Sequence, residues 1–195
     1  RASAKSSLQM TQIHADGGMY TYVILLRGIN VGGNILLKMD DLKKAFAALN
    51  FGNVRTLLAS GNVKFETAKS KEAALAKTIA EALQETFGSQ IGVIVRSIDD
   101  IEKLIASNPF KGIKVTKETR LYVTFLPEKS KSNLKVPYAS PEKDLRILCA
   151  TDTEVCSVLT LSPDRNSVDL MKIIEKEWGK NVTTRNWNTI LKIAG

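Results

Sequence analysis

The chain has 195 residues, 44% of them hydrophobic and 25% charged, and its 28 Lys and Arg outnumber 20 Asp and Glu to give a formal net charge of +8. That length and composition can bury a sizeable core without disulfides or structural metal, and apolar runs such as Tyr22 to Leu26 are far too short to cross a bilayer or to serve as a secretory signal. The basic excess attracts anions, so an anionic small molecule or a nucleic acid is a compatible partner, no membrane partner is expected, and the protein reads as soluble and cytoplasmic.

Residues 1 to 18 are small, polar and without apolar period, and read as a disordered leader or cloning remnant ahead of a folded body that starts at Met19. His14, the sole histidine, falls in this segment, so the body offers no imidazole for a Ser-His-Asp or Cys-His arrangement or for a histidine-based metal site. The two cysteines, Cys149 and Cys156, lie in separate apolar runs without a zinc-binding spacing and read as buried free thiols.

In the body, Tyr20 to Leu26 becomes continuously apolar and ends at Gly28, the pattern of a strand buried within a sheet. Met39 to Leu49 carries apolar residues at helical spacing with Asp40 and Asp41 in its first turn. Val54 to Ala59 and Val63 to Glu66 are β-prone runs joined by the turn formers Ser60, Gly61 and Asn62, and predict a hairpin. Lys71 to Phe87 is a helix with Gly88 just past its end, and Ile91 to Arg96 is a fourth strand. The order β-α-β-β-α-β is that of the ferredoxin-like unit, whose strands lie 4-1-3-2 in space.

The second half is less regular. Asp99 to Ala106 reads as a helix ended by Asn108-Pro109, Leu121 to Leu126 as a strand, and Glu128 to Pro141 as a long loop or a loop holding a short helix. Leu145 to Ala150 and Val155 to Leu161 read as strands around a turn at Asp152. Val168 to Trp178 reads as a helix capped by Ser167, and a last helix starts near Arg185 to Asn188. The expected architecture is α/β in the broad sense (α+β), with a ferredoxin-like subdomain over 19–97 and a second, smaller α/β subdomain over 98–195.

The predicted topology places two loops at one sheet edge. The segment leaving the first strand contributes Arg27, Gly28, Asn30, Gly32 and Gly33, and the hairpin turn contributes Ser60 and Asn62. Glycines let backbone N–H groups approach an anion, and a guanidinium can fork onto a carboxylate or phosphate. The same residues also serve as ordinary turn formers with a locally paired arginine, so ligand binding and a structural role both stand. The spacing of Gly28, Gly32 and Gly33 matches neither a Walker A loop nor a dinucleotide fingerprint.

A second constellation, Thr183 to Thr189, gathers Arg185, Asn186, Trp187 and Asn188. Thr184 or Asn186 can cap the last helix and Trp187 can anchor it; alternatively Arg185, Asn186 and Asn188 complete a polar cleft with the loop edge. The pairs Asp40-Asp41 and Asp99-Asp100 are explained by their places at helix starts. No metal-ligand set or cofactor fingerprint is visible, and no cofactor or catalytic residue is assigned.

Three segments, YVILLRGINVGG (Tyr22 to Gly33), SGNVKF (Ser60 to Phe65) and TTRNWNT (Thr183 to Thr189), resemble in order the signature segments of the DUF1697 family, bacterial proteins of unknown function. The resemblance covers the body from about Met19 to the C-terminus and implies a two-subdomain α/β fold with ferredoxin-like halves and no established activity. Family members typically follow the double glycine with a lysine-containing stretch such as KNK. This chain reads Asn34 to Lys38 as NILLK there, leaving Arg27 and Lys38 as the nearby cations. The leading functional expectation is binding of an anionic small molecule or nucleic-acid fragment at the loop edge; an enzyme of phosphoryl or nucleotide chemistry and a protein-interaction module are the alternatives.

Overall fold

The computed structural model of the protein describes residues 18–29, 37–57, 61–127, 132–162 and 169–195. Residues 1–17 of the predicted 1–18 leader, the glycines Gly32 and Gly33, and Asn30 and Ser60 lie outside those residues.

The first half forms β1 (Met19–Arg27), α1 (Met39–Ala47), β2 (Gly52–Leu57), β3 (Asn62–Ala68), α2 (Glu72–Phe87) and β4 (Gly92–Ser97). Its sheet has the order β2-β3-β1-β4, and the paired strands are antiparallel throughout. This is the 4-1-3-2 arrangement expected of a ferredoxin-like sheet. β1 is central because its apolar run serves both faces. Tyr22, Ile24 and Leu26 pack under α1 and α2 with Phe46, Leu75 and Ile79, whereas Val23 and Leu25 point to the opposite side. α2 ends where Gly88 takes a left-handed conformation that a side chain would disfavour.

The second half follows as α3 (Ile98–Ala106), β5 (Thr119–Phe125), β6 (Tyr138–Ala139), β7 (Leu145–Ala150), β8 (Glu154–Thr160), α4 (Leu170–Trp178), β9 (Thr183–Asn186) and α5 (Trp187–Ala194). Its five-stranded sheet has the order β6-β7-β8-β5-β9, again with antiparallel pairs. α4 covers one face through Leu170, Ile174 and Trp178, spaced one helical turn apart, which pack with Leu145, Ile147 and Val155. The other face meets the first sheet: Val23, Leu25 and Ile94 share one apolar cluster with Ile101 of α3, Val123 and Phe125 of β5, and Ile190 and Ile193 of α5.

Four expectations change. A short strand, β6, stands in the segment expected to be loop or helix, next to the edge of β7. The polar run expected to open the last helix is first a strand: β9 pairs with β5 over Thr183 to Asn186 before α5 begins at Trp187. α4 is capped by Asp169, whose carboxylate accepts from the Lys172 N–H at 3.2 Å; Ser167, the expected cap, lies outside the described residues. β2 begins at Gly52, two residues ahead of its expected start, because Asn53 takes a positive φ at a register shift and the strand continues through it.

Arg96 fastens the two halves at one end. It ends the apolar run of β4, is 4% exposed, and reaches Glu154 of β8 through Nε at 3.2 Å and Glu72 of α2 through Nη1 at 3.4 Å. Its Nη2 donates to the backbone carbonyls of Leu126 and Thr153. Two carboxylates and several carbonyls thus compensate one buried cation, which would otherwise cost several kcal/mol.

Candidate functional site

At the other end of β1 the chain brings the two predicted loop segments together. The Leu26 N–H donates to the Gly61 carbonyl at 2.8 Å, and Leu25 stands opposite Asn62 in the β1–β3 register. Gly61 has a positive φ and lies so close to Ile29 that a Cβ there would come within 2.6 Å of its side chain. Gly28, also with positive φ, ends β1 and turns the chain away beside Arg27.

β9 brings Arg185 to the same place. Strand alternation turns Thr183 and Arg185 to one side, and pairing with Val123 of β5 fixes the depth of Arg185. Its guanidinium, 8% exposed by residue, donates from Nε to Asn62 Oδ1 at 2.7 Å and from Nη2 to the Leu26 carbonyl at 2.7 Å. Nη1 donates to Thr183 Oγ1 at 2.7 Å and to the Thr184 carbonyl at 3.0 Å. These contacts use four of the five guanidinium N–H groups.

All of those acceptors are neutral. Among the described residues Arg185 has no carboxylate at ion-pairing distance, in contrast to Arg96 with its two. Burial pushes its pKa down to about 10, which still leaves it a cation at neutral pH. A buried positive charge held only by dipoles leaves a positive potential on whatever cavity it borders.

That cavity is a cleft of about 700 Å³ between the two halves. Arg27, Gly28 and Gln90 come from the first half; Tyr122, Thr183, Thr184 and Arg185 come from the second; and Leu159, Leu170, Met171 and Val182 supply an apolar lining. Its size is that of a pocket for a small organic ligand. A second hollow of about 600 Å³, lined by Glu81, Glu85 and Asn181, adjoins it through Arg27, Gln90 and Gly92.

Arg27 stands partly exposed at the mouth, and its Nη2 donates to Glu175 Oε1 of α4 at 2.7 Å. The side chains of Arg27 and Glu175 keep 37% and 27% of their surface open. The carboxylate that engages Arg27 is therefore itself in reach of solvent, not a buried internal partner.

The predicted site residues divide accordingly. Arg27, Gly28 and Arg185 line the cleft, and Asn62 lies fully buried behind Arg185, donating its amide to the Leu57 carbonyl at 3.1 Å. Asn186, Trp187 and Asn188 are not among its lining residues. Asn186 caps α5 by accepting from the Asn188 N–H at 3.0 Å, and Trp187 packs edge-on against Phe110 with ring centroids 5.1 Å apart. Asn30, Gly32, Gly33 and Ser60 lie outside the described residues. Sequence reasoning missed Thr183, Thr184, Gln90, Tyr122 and Glu175; for the threonines the one available signal was their place beside Arg185 in the quoted segment.

The fold is similar to that of a solved structure, the conserved bacterial protein SP0830 from Streptococcus pneumoniae, with a TM-score of 0.64 and 20% sequence identity over 91% of this chain and 98% of that one. At that identity the likeness is one of fold. Comparison with curated proteins gave no match. Among the described residues no helix is long and apolar enough to cross a membrane. The model of the family described as "Protein of unknown function (DUF1697)" matches residues 19–155. The match takes in the first two of the three signature segments, Tyr22 to Gly33 and Ser60 to Phe65, and covers well over half of the chain, so the chain belongs to the DUF1697 family.

Proposed function

We propose that the cleft between Arg27 and Arg185 binds a small organic anion, a molecule with a phosphate or carboxylate and an apolar or aromatic body. The observation that carries this reading is the buried Arg185 guanidinium, which borders an open cleft and is held only by neutral acceptors. An anion entering there supplies the missing negative charge. Arg27 and Thr183 add donors around it, and Leu159, Leu170, Met171 and Val182 offer apolar surface to the rest of the ligand.

A nucleoside monophosphate has both parts, a charged head and a flat body, and is the first probe to use. The reading favours binding over phosphoryl-transfer chemistry because none of the described residues that line the cleft is a carboxylate that could act as a base. The test is calorimetric titration with the four ribonucleoside monophosphates and with inorganic phosphate. The expected result is saturable one-to-one binding of at least one of them that weakens about tenfold in Arg27→Ala, the equivalent of about 1.4 kcal/mol. Absence of binding across the panel, or binding indifferent to Arg27→Ala, overturns it.

A further inference from the structure

The sequence separates Cys149 and Cys156 into different apolar runs, but the fold sets them face to face. They are direct partners in the antiparallel register of β7 and β8, just beyond the register shift between Ile147 and Cys149. Opposed residues of an antiparallel pair stand about 4.5–5.5 Å apart at Cα and project from the same face, inside the span of about 4.4–6.8 Å that a disulfide bridges. Cys156 belongs to the apolar cluster between the sheets, and Cys149 packs against that cluster. Both are free thiols, Cys156 buried and Cys149 only partly so.

We infer that Cys149 and Cys156 are a redox-active dithiol that closes to a cross-strand disulfide by exchange with a low-molecular-weight disulfide. The difference in exposure assigns the roles. Cys149 meets the reagent: its thiolate attacks one sulfur of the small disulfide, forms a mixed disulfide and expels the first small thiolate. Cys156 then gives up its proton to that thiolate and attacks Cys149 Sγ, expelling the second small thiol. Two protein thiols are oxidised, one small disulfide is reduced to two thiols, and the two protons leave with them.

The surrounding chemistry agrees with this order. A hydrogen bond from the Cys156 side chain holds the Cys149 thiol down at about 7, whereas the same contact and burial push the Cys156 thiol up. One thiolate backed by one retained proton is the arrangement that makes a dithiol reactive at its outer sulfur. The hairpin that carries the pair also carries Glu154, which grips Arg96, so the closed bridge would brace the strand pair that clamps the two halves.

The experiment incubates the full chain with glutathione disulfide at neutral pH and follows intact mass and free-thiol titration. The expected product is a monomer lighter by two hydrogens, with both thiols lost and both recovered on reduction. In Cys156→Ser the reaction should stop at a stable glutathione adduct on Cys149, and in Cys149→Ser the buried thiol should stay unmodified. Wild-type protein that keeps both thiols, retains a glutathione adduct or links into dimers overturns the inference, and this readout does not depend on either variant folding.

Discussion

Asn62 Oδ1 accepts a 2.7 Å hydrogen bond from Arg185 Nε across 123 residues of chain, which fastens the first residue of β3 to the edge strand of the second sheet. The same amide donates to the Leu57 carbonyl, so the asparagine is committed in both directions. Asn62→Ala leaves a buried guanidinium N–H and a backbone carbonyl without their partners. Each such loss costs about 1–3 kcal/mol, and at this chain length about 2–4 °C of Tm accompanies each kcal/mol. Thermal denaturation of Asn62→Ala should show a drop of at least several degrees; an unchanged Tm would mean that the latch contributes nothing.

Arg27 and Glu175 make the opposite kind of contact, a pair at the cleft mouth open to solvent on both sides. Such pairs contribute about 0–1 kcal/mol to stability, so Glu175→Gln should leave Tm nearly unchanged. Its effect belongs to the proposed ligand. Removing the carboxylate frees the Arg27 guanidinium and takes a negative charge away from the anion's path, so affinity for the bound nucleotide should rise about threefold to tenfold, with a steeper loss on added salt. Equal or weaker affinity in Glu175→Gln than in wild type would place the anion away from Arg27.

Much of this fold can be read from the sequence because the apolar periods of the first half are unbroken and end at residues that stop them. β1 is buried on both faces and reads as an uninterrupted apolar run, and α2 closes at Gly88, whose positive φ marks the end of the helix. β9 is different. Thr-Thr-Arg-Asn has no apolar alternation, and its strand character comes from pairing with β5, a partner some sixty residues away in the chain, as Thr124 and Thr184 show. The two inward arginines are hidden for a related reason. Arg96 ends an apolar strand and Arg185 sits in a polar one, and neither position announces its burial, which only the opposing Glu72 and Glu154, or the Asn62 amide, make tolerable. Cleft residues such as Gln90 and Glu175 come from separate elements, and no local pattern links them.

The Arg96 cluster carries a pH dependence of defined sign. Glu72 pairs with Arg96, yet its pKa is raised, because burial of the carboxylate outweighs the hydrogen bond from the Ser97 N–H and the attraction of Arg96, while Asp100 and Glu154 add repulsion. Arg96 is shared with Glu154, which explains why its attraction does not win. A carboxyl whose folded pKa lies above its unfolded value holds its proton more tightly when folded. Its contribution to stability is present below the unfolded pKa near 4.5 and is lost as pH rises through the folded value. Relative to Glu72→Gln, the wild type should therefore lose stability between about pH 4 and pH 7. Urea denaturation of both proteins at the two pH values measures the difference, and a gap that moves the other way would show Arg96 to be the stronger influence.

Gly28 and Gly61 have nearly the same backbone, φ +69° and +74°, but different surroundings, and the contrast separates conformational cost from packing cost. A Cβ at Gly28 meets nothing within 4 Å, so Gly28→Ala should cost only the left-handed penalty of about 1–2 kcal/mol. A Cβ at Gly61 would come within 2.6 Å of Ile29 Cδ1 and 3.0 Å of Leu26 Cβ. Ile29 is 1% exposed and enclosed by its neighbours, so its side chain has nowhere to retreat without disturbing the core, which adds about 1–3 kcal/mol of overpacking. Gly61→Ala should thus unfold at clearly lower urea than Gly28→Ala. It should also weaken any anion binding, because the displaced Leu26 segment carries the carbonyl that receives Arg185 Nη2. Equal denaturation midpoints for the two variants would show that Ile29 yields freely and that the close approach of the two loop segments does not help to position Arg185.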